Sequence, residues 1–110
     1  MISRRTAALA LLALPSLAAR AARAAPSSAA SAVTVYGAEW CGPCHVLHAA
    51  LRERGVPFDT VDVDRYPDLY ARARQEAGSS GIPLTGVTRG GRTAWIVGAD
   101  ADAVERAYRG

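Results

Sequence analysis

Residues 38–45 read AEWCGPCH, and Cys41 and Cys44 within them are the only cysteines of the chain. Two thiols separated by two residues can hold zinc, anchor a c-type haem, staple the chain, or carry electrons as a reversible disulfide. The last five letters, CGPCH, satisfy the haem-attachment pattern and the redox pattern alike.

Ligand supply and loop length separate these chemistries. In a haem protein His45 would be the proximal ligand, but the only methionine is Met1, and His48 lies three residues further along the same helix. Neither reaches the opposite haem face. Zinc would have to take Cys41, Cys44, His45 and His48 from a stretch of eight residues. Structural zinc sites draw their second ligand pair from a distant segment, so that the metal closes a loop. A static CxxC bridge closes a very short loop and removes little chain entropy, which makes it a poor staple. Redox exchange is therefore the favoured reading. Asp62, Asp64, Asp100 and Asp102 read as strand-end and capping residues rather than metal ligands.

The pair has to be positioned by the elements around it. VTVYG (33–37) is β-branched and aromatic and predicts a short buried strand. From Pro43 to Glu53, Val46, Leu47, Ala50 and Leu51 fall at helical spacing, with Gly55 at the stop. VPFDTVDVD (56–64) returns to β character, which makes a βαβ unit with a parallel strand pair. Pro67 predicts a second helix to about Ala77, ended by GSSG. IPLTGVT and TAWIVG flank RGGR and predict a hairpin around Gly90-Gly91. A last helix runs from Asp100 to Tyr108, capped by Asp100 or Asp102, with Ala103, Val104 and Ala107 facing inward. The order is β-α-β-α-β-β-α, an α/β domain.

The cysteines thus fall where the first strand ends and the first helix begins. Unpaired N–H groups and the dipole at a helix N-terminus stabilise a thiolate, the reactive form. Cys41 is expected to be exposed and to act as nucleophile, and Cys44, one turn inside, to be buried and to resolve the mixed disulfide. Gly42 and Pro43 let a partner approach the sulfur, and Pro43 suits the first helical turn. Trp40 offers either a flat docking shoulder or core filling.

AEWCGPC resembles the active-site stretch of thioredoxins. VTVYG, GVPFDTVDVD, GIPLT, GGR and VGADADAVERAY resemble glutaredoxins more closely, and the likeness runs over residues 33–109. The resemblance implies a thioredoxin fold in its small form, with a four-stranded mixed sheet, and dithiol–disulfide exchange. It also implies that Ile82-Pro83 is a cis peptide facing the cysteines and offering backbone groups to a substrate peptide or to glutathione. Gly98 and Asp100, in the Gly98-Ala99-Asp100 turn, would receive the γ-glutamyl end of glutathione. Two departures stand out. The basic residue that glutaredoxins carry before the motif is absent from a chain without lysine, and the buried acid of thioredoxins is replaced in a strand of Val33, Thr34, Val35 and Tyr36.

The N-terminal residues read as an address rather than as fold. Arg4 and Arg5 precede Thr6–Ala19, an uncharged, mostly apolar run of fourteen residues broken by Pro15, and Ala22-Arg23-Ala24 fits a cleavage site. These are the parts of an export signal (1–24), and Arg4-Arg5 also suits a twin-arginine route. A spanning helix needs about 18 or more apolar residues. Residues 25–32 read as a flexible leader before the 33–110 domain. Beyond the signal, nine arginines face ten acids, a net charge of −1, so the sequence pI of about 9.3 is largely a property of the signal. That balance leaves no electrostatic footprint for nucleic acid. The expectation is a periplasmic monomer, free of the membrane once the signal is removed. It needs no cofactor beyond its thiols, with glutathione as a conceivable co-substrate and protein disulfides as the other class of partner. Fractionation with N-terminal sequencing should find a mature chain outside the cytoplasm starting near Ala25, and an intact cytosolic chain would refute the signal.

Overall fold

A computed structural model describes residues 32–110. The export signal and nearly all of the leader lie outside the described residues. Within them the elements are β1 (Val33–Gly37), α1 (Gly42–Glu53), β2 (Asp59–Asp62), α2 (Pro67–Ala77), β3 (Leu84–Arg89), β4 (Arg92–Val97) and α3 (Ala101–Arg109). This is the order expected from the sequence.

The strands form one sheet in the order β2-β1-β3-β4. β1 pairs parallel with β2, because α1 carries the chain back to the same end, and antiparallel with β3. β3 and β4 form a hairpin whose tip residues, Gly90 and Gly91, both have positive φ, at 57° and 79°. A two-residue type I′ loop requires that conformation at both positions, which glycine adopts without a steric penalty.

β1 alternates in burial. Val33 and Val35 point to one face and pack with Leu47 and Leu51 of α1, Val87 of β3, and Ala101 and Val104 of α3. Tyr36 points to the other face, its ring 6.2 Å from that of Trp95 of β4, and both Tyr36 and Tyr70 of α2 pack against the cysteine cluster. One face of the central strand is thus buried and valine-lined, and the other, with Thr34 and Tyr36, is half-buried.

The helix ends follow local chemistry. Asp100 caps α3, accepting the Ala103 N–H at 3.0 Å, and Asp102 serves instead in an ion pair. α2 opens on Pro67 and ends at Gly78, which takes a left-handed conformation at φ 67°. The periodicity misplaces one residue: Val46, expected inside, is 63% exposed. α1 buries Cys44, Leu47 and Leu51, spaced by three and four, and Val46 lies off that stripe. β2 is also shorter than its apolar run, since Val56 serves the core and Phe58 packs outside the strand.

Charged groups join the end of α1 to α3. Arg54 pairs with Asp102 and reaches Glu105 at 3.2 Å, while Arg109 bonds Glu105 at 2.9 Å and donates to the Arg54 carbonyl at 2.9 Å. The hydrogen bond from Arg54 holds the Asp102 carboxyl below its ordinary range, and the one from Arg109 does the same for Glu105. A depressed folded-state pKa stabilises above the unfolded carboxylate range and is lost as pH falls through the folded values. Arg54→Ala should lower the melting temperature at neutral pH, and the gap should close in acid and narrow in high salt. Leu47→Ala should cost about 2–5 kcal/mol at either pH. Thermal melts across pH check both, and an Arg54→Ala deficit independent of pH would contradict the electrostatic account.

Candidate active site

The site is built at the junction between β1 and α1. Gly37 ends the strand, and the turn closes with the Cys41 N–H donating to the Ala38 carbonyl at 3.1 Å. Cys41 then caps the helix, its Sγ accepting the Cys44 N–H at 3.2 Å. The two cysteines are joined as a disulfide with their Cα atoms 5.3 Å apart, inside the usual span of such bonds.

Cys44 is fully buried, as expected for the inner thiol. Its sulfur occupies space that a side chain on β1 would take, for a Cβ on Gly37 would lie 2.8 Å from it. Cys41 departs from expectation: it is only 4% exposed. In this oxidised form its sulfur is bonded to the buried one, and it joins Ala38, Cys44 and Val63 in a small cluster, with Tyr36, Tyr70 and Ile82 against it. Burial raises the Tyr36 hydroxyl pKa above its usual value, Glu76 adds to the rise, and Arg72 opposes it.

The other residues named from the sequence fall as follows. Gly42 and Pro43 are exposed in the first turn of α1. Trp40 is 71% exposed, which excludes core filling, and its Nε1 donates to Asp64 Oδ2 at 2.8 Å. Ile82-Pro83 is a cis peptide, with Pro83 buried and Ile82 against the cysteine cluster. The Gly98 N–H donates to the Pro83 carbonyl at 2.8 Å, which brings the Gly98 turn beside the proline. Asp100 is exposed, with one carboxylate oxygen engaged as the α3 cap.

The sequence alone assigns no role at the site to three residues. Asp64, a strand-end residue by its place in the chain, orients the indole of Trp40. Its own turn is held by Asp62 Oδ1, which accepts the N–H groups of Asp64 and Arg65 at 2.9 and 3.3 Å. Tyr70 packs on the cysteine cluster and donates its hydroxyl to the Ser80 carbonyl, bracing the segment before the cis peptide. Gly37 makes room for the inner sulfur. Only Gly37 left a trace in the sequence, as a glycine ending an otherwise β-branched run.

A sequence model described as Glutaredoxin matches residues 33–85. Thioredoxin H2-1 of Oryza sativa subsp. japonica is 35% identical over 77 residues, covering 64% of this chain and 53% of that protein. A glutaredoxin of Pseudomonas aeruginosa is 33% identical over 51 residues, covering 46% of this chain and 61% of that protein. The crystal structure of a glutaredoxin from Archaeoglobus fulgidus superimposes with a TM-score of 0.60 at 19% identity, over 76% of this chain and 91% of that one. The chain has the thioredoxin fold and is similar in sequence to glutaredoxins over residues 33–85. It spans little more than half the length of the curated relatives it matches. The glutaredoxin-type match ends at residue 85, just past the cis peptide, and thus takes in the cysteines, Trp40 and Pro83.

Gly37→Ala tests the packing of this glutaredoxin-like site. The added methyl meets a sulfur held by a covalent bond, so overpacking should destabilise the oxidised form by about 1–3 kcal/mol. Denaturation of oxidised and reduced protein should show the larger loss in the oxidised form, and an unchanged oxidised stability would show that the junction yields freely.

Proposed function

We propose that this protein is a thiol–disulfide oxidoreductase that exchanges its Cys41–Cys44 pair with protein disulfides or glutathione mixed disulfides. The observation that carries the reading is the placement of the two sulfurs at the start of α1, one capping the helix and the other buried beneath β1. The Glutaredoxin family match across this region supports it.

The roles follow from position. In the reduced protein Cys41 faces the first N–H groups of α1, including that of Cys44, so its thiolate is stabilised and it attacks the partner's sulfur. Cys44 then attacks Cys41 and releases the partner reduced. The exposed Trp40 face, Gly42, Pro43 and the Ile82-Pro83 segment form the docking surface. Gly98 and Asp100 would receive the far end of glutathione. Thiols alone carry the electrons, so no further cofactor enters the exchange. Glycine and proline between the cysteines favour the reducing side, which a measured potential near about −270 mV would support and one near about −120 mV, that of an oxidant, would contradict. The Arg4-Arg5 signal pattern supports work outside the cytoplasm on electrons supplied by an upstream reductant.

A second reading has its own support. The WCGPC stretch and the 35% identity to Thioredoxin H2-1 suit a module serving one protein partner rather than glutathione.

The cysteine variants separate the readings. Cys41 should titrate below the free thiol value of about 8.5. Cys41→Ser should abolish exchange, whereas Cys44→Ser should accumulate a mixed disulfide through Cys41. With a glutathione partner, Cys44→Ser keeps turning over, because glutathione resolves Cys41. With a protein partner, it stalls. Mass spectrometry and turnover on both substrate types check this, and an adduct on Cys44 in the Cys41→Ser protein would reverse the roles.

A further inference from the structure

His48 stands one helical turn beyond Cys44 on α1, the spacing at which side chains on a helix are neighbours. Its ring is half-buried, stacked on Phe58 with centroids 5.1 Å apart and edge-on to His45 at 6.1 Å. Its Nε2 is buried and has no hydrogen-bond partner. Leaving a buried polar atom unpaired costs about 1–3 kcal/mol. The neighbouring histidine differs, since the His45 Nε2–H is engaged by the Glu39 carbonyl at 2.7 Å.

His48 also lines a cleft of about 200 Å³ between α1 and the β2 edge, together with Val35, Gly37, His45, Thr60 and Asp62. Gly37 is the residue against which the Cys44 sulfur is packed. Gly37 therefore stands between the cleft and the buried thiol, and the cleft is large enough to admit several waters. No carboxylate occupies this face of β1, where Val33 and Val35 point inward. A resolving thiol buried here must still lose its proton before it can attack.

We infer that His48 is the base that takes the proton of Cys44 in the resolving step, across the cleft beneath Gly37. The inference rests on the proposed exchange reaction. In the mixed disulfide, Cys41 is bonded to the partner's sulfur and Cys44 is a neutral thiol. His48 accepts the thiol proton and the Cys44 thiolate attacks Cys41 Sγ. The Cys41–Cys44 bond forms as the Cys41–partner bond breaks, and the partner leaves as a thiolate that takes a proton from water. The two cysteines give up two electrons, the pair gained by the partner's disulfide, and the imidazolium returns its proton to solvent through the cleft.

The surroundings suit a neutral base. Burial lowers the His48 pKa below the usual histidine value, and Arg52 and His45 on α1 lower it further. Asp62 from β2 and Glu39 from the preceding turn are the acidic residues on the cleft wall. His48 is therefore unprotonated at neutral pH, and its base function is lost only as pH falls through that lowered value.

Stopped-flow mixing of the reduced protein with excess dithiobis-nitrobenzoate tests this. Each cysteine in turn releases one coloured thiolate. The first release depends on reagent concentration and reports Cys41, and the second is independent of it and reports Cys44. In the wild type the second rate should fall in acid through a group titrating below the ordinary histidine value. His48→Gln should slow the second phase at neutral pH by about tenfold or more and remove that acid limb, leaving the first phase unchanged. His48→Phe keeps an aromatic ring against Phe58 and should behave alike, with thermal melts confirming that both variants fold. A second phase that keeps its rate, or slows while keeping the limb, overturns the assignment. A wild-type protein that releases no second thiolate overturns the exchange reaction itself, and this assignment with it.

Discussion

Helix α1 leaves β1 so closely that the sulfur of Cys44 lies where a side chain on Gly37 would have to be. Close packing leaves no slack at such a contact, because interiors are filled to crystal-like density. The contact fixes the inner cysteine beneath the strand, and Cys41, three residues earlier, then falls at the helix cap. Once α1 is seated, Leu47 and Leu51 are committed to the core, the chain returns along β2, and the turn after β2 brings Asp64 to Trp40. The redox pair and the core are thus set by one junction.

The opposite side of the site depends on the sheet rather than on that junction. β3 lies beside β1, and its first residue follows the cis Ile82-Pro83 segment. Pairing of Leu84 with Tyr36 and with Val97 holds that segment close to the motif from two directions. Residues more than forty apart in the chain therefore meet around one bond. The sheet supplies this closeness through backbone hydrogen bonds, which need no particular side chain.

That division explains what could be read from the sequence. Elements defined by local chemistry were legible: the β-branched run of β1, proline and glycine at the ends of α2, the Gly90-Gly91 turn, and Asp100 as a cap. The cysteines were legible because their spacing is itself a chemical signature. The exposure of Val46 was not, since four apolar residues suggest a stripe broader than the one the sheet covers. Nor were the partnerships of Asp64 and Tyr70, whose partners lie 24 and 10 residues away. The burial of Cys41 depends on its bond to Cys44 and on what packs above both, neither of which is written in CxxC.

The β3–β4 hairpin has a further consequence. Six-residue strands at about 3.3 Å per residue put its Gly90-Gly91 tip roughly 20 Å from Pro83. The tip is exposed, and Arg89 and Arg92 flank it. Exposed loop tips are where a chain best accepts added residues. A dye, an affinity peptide or a fused domain attached there would leave the proline end of the hairpin unobstructed, so the same turn that closes the sheet is also a handle for immobilising the molecule with its cysteines free.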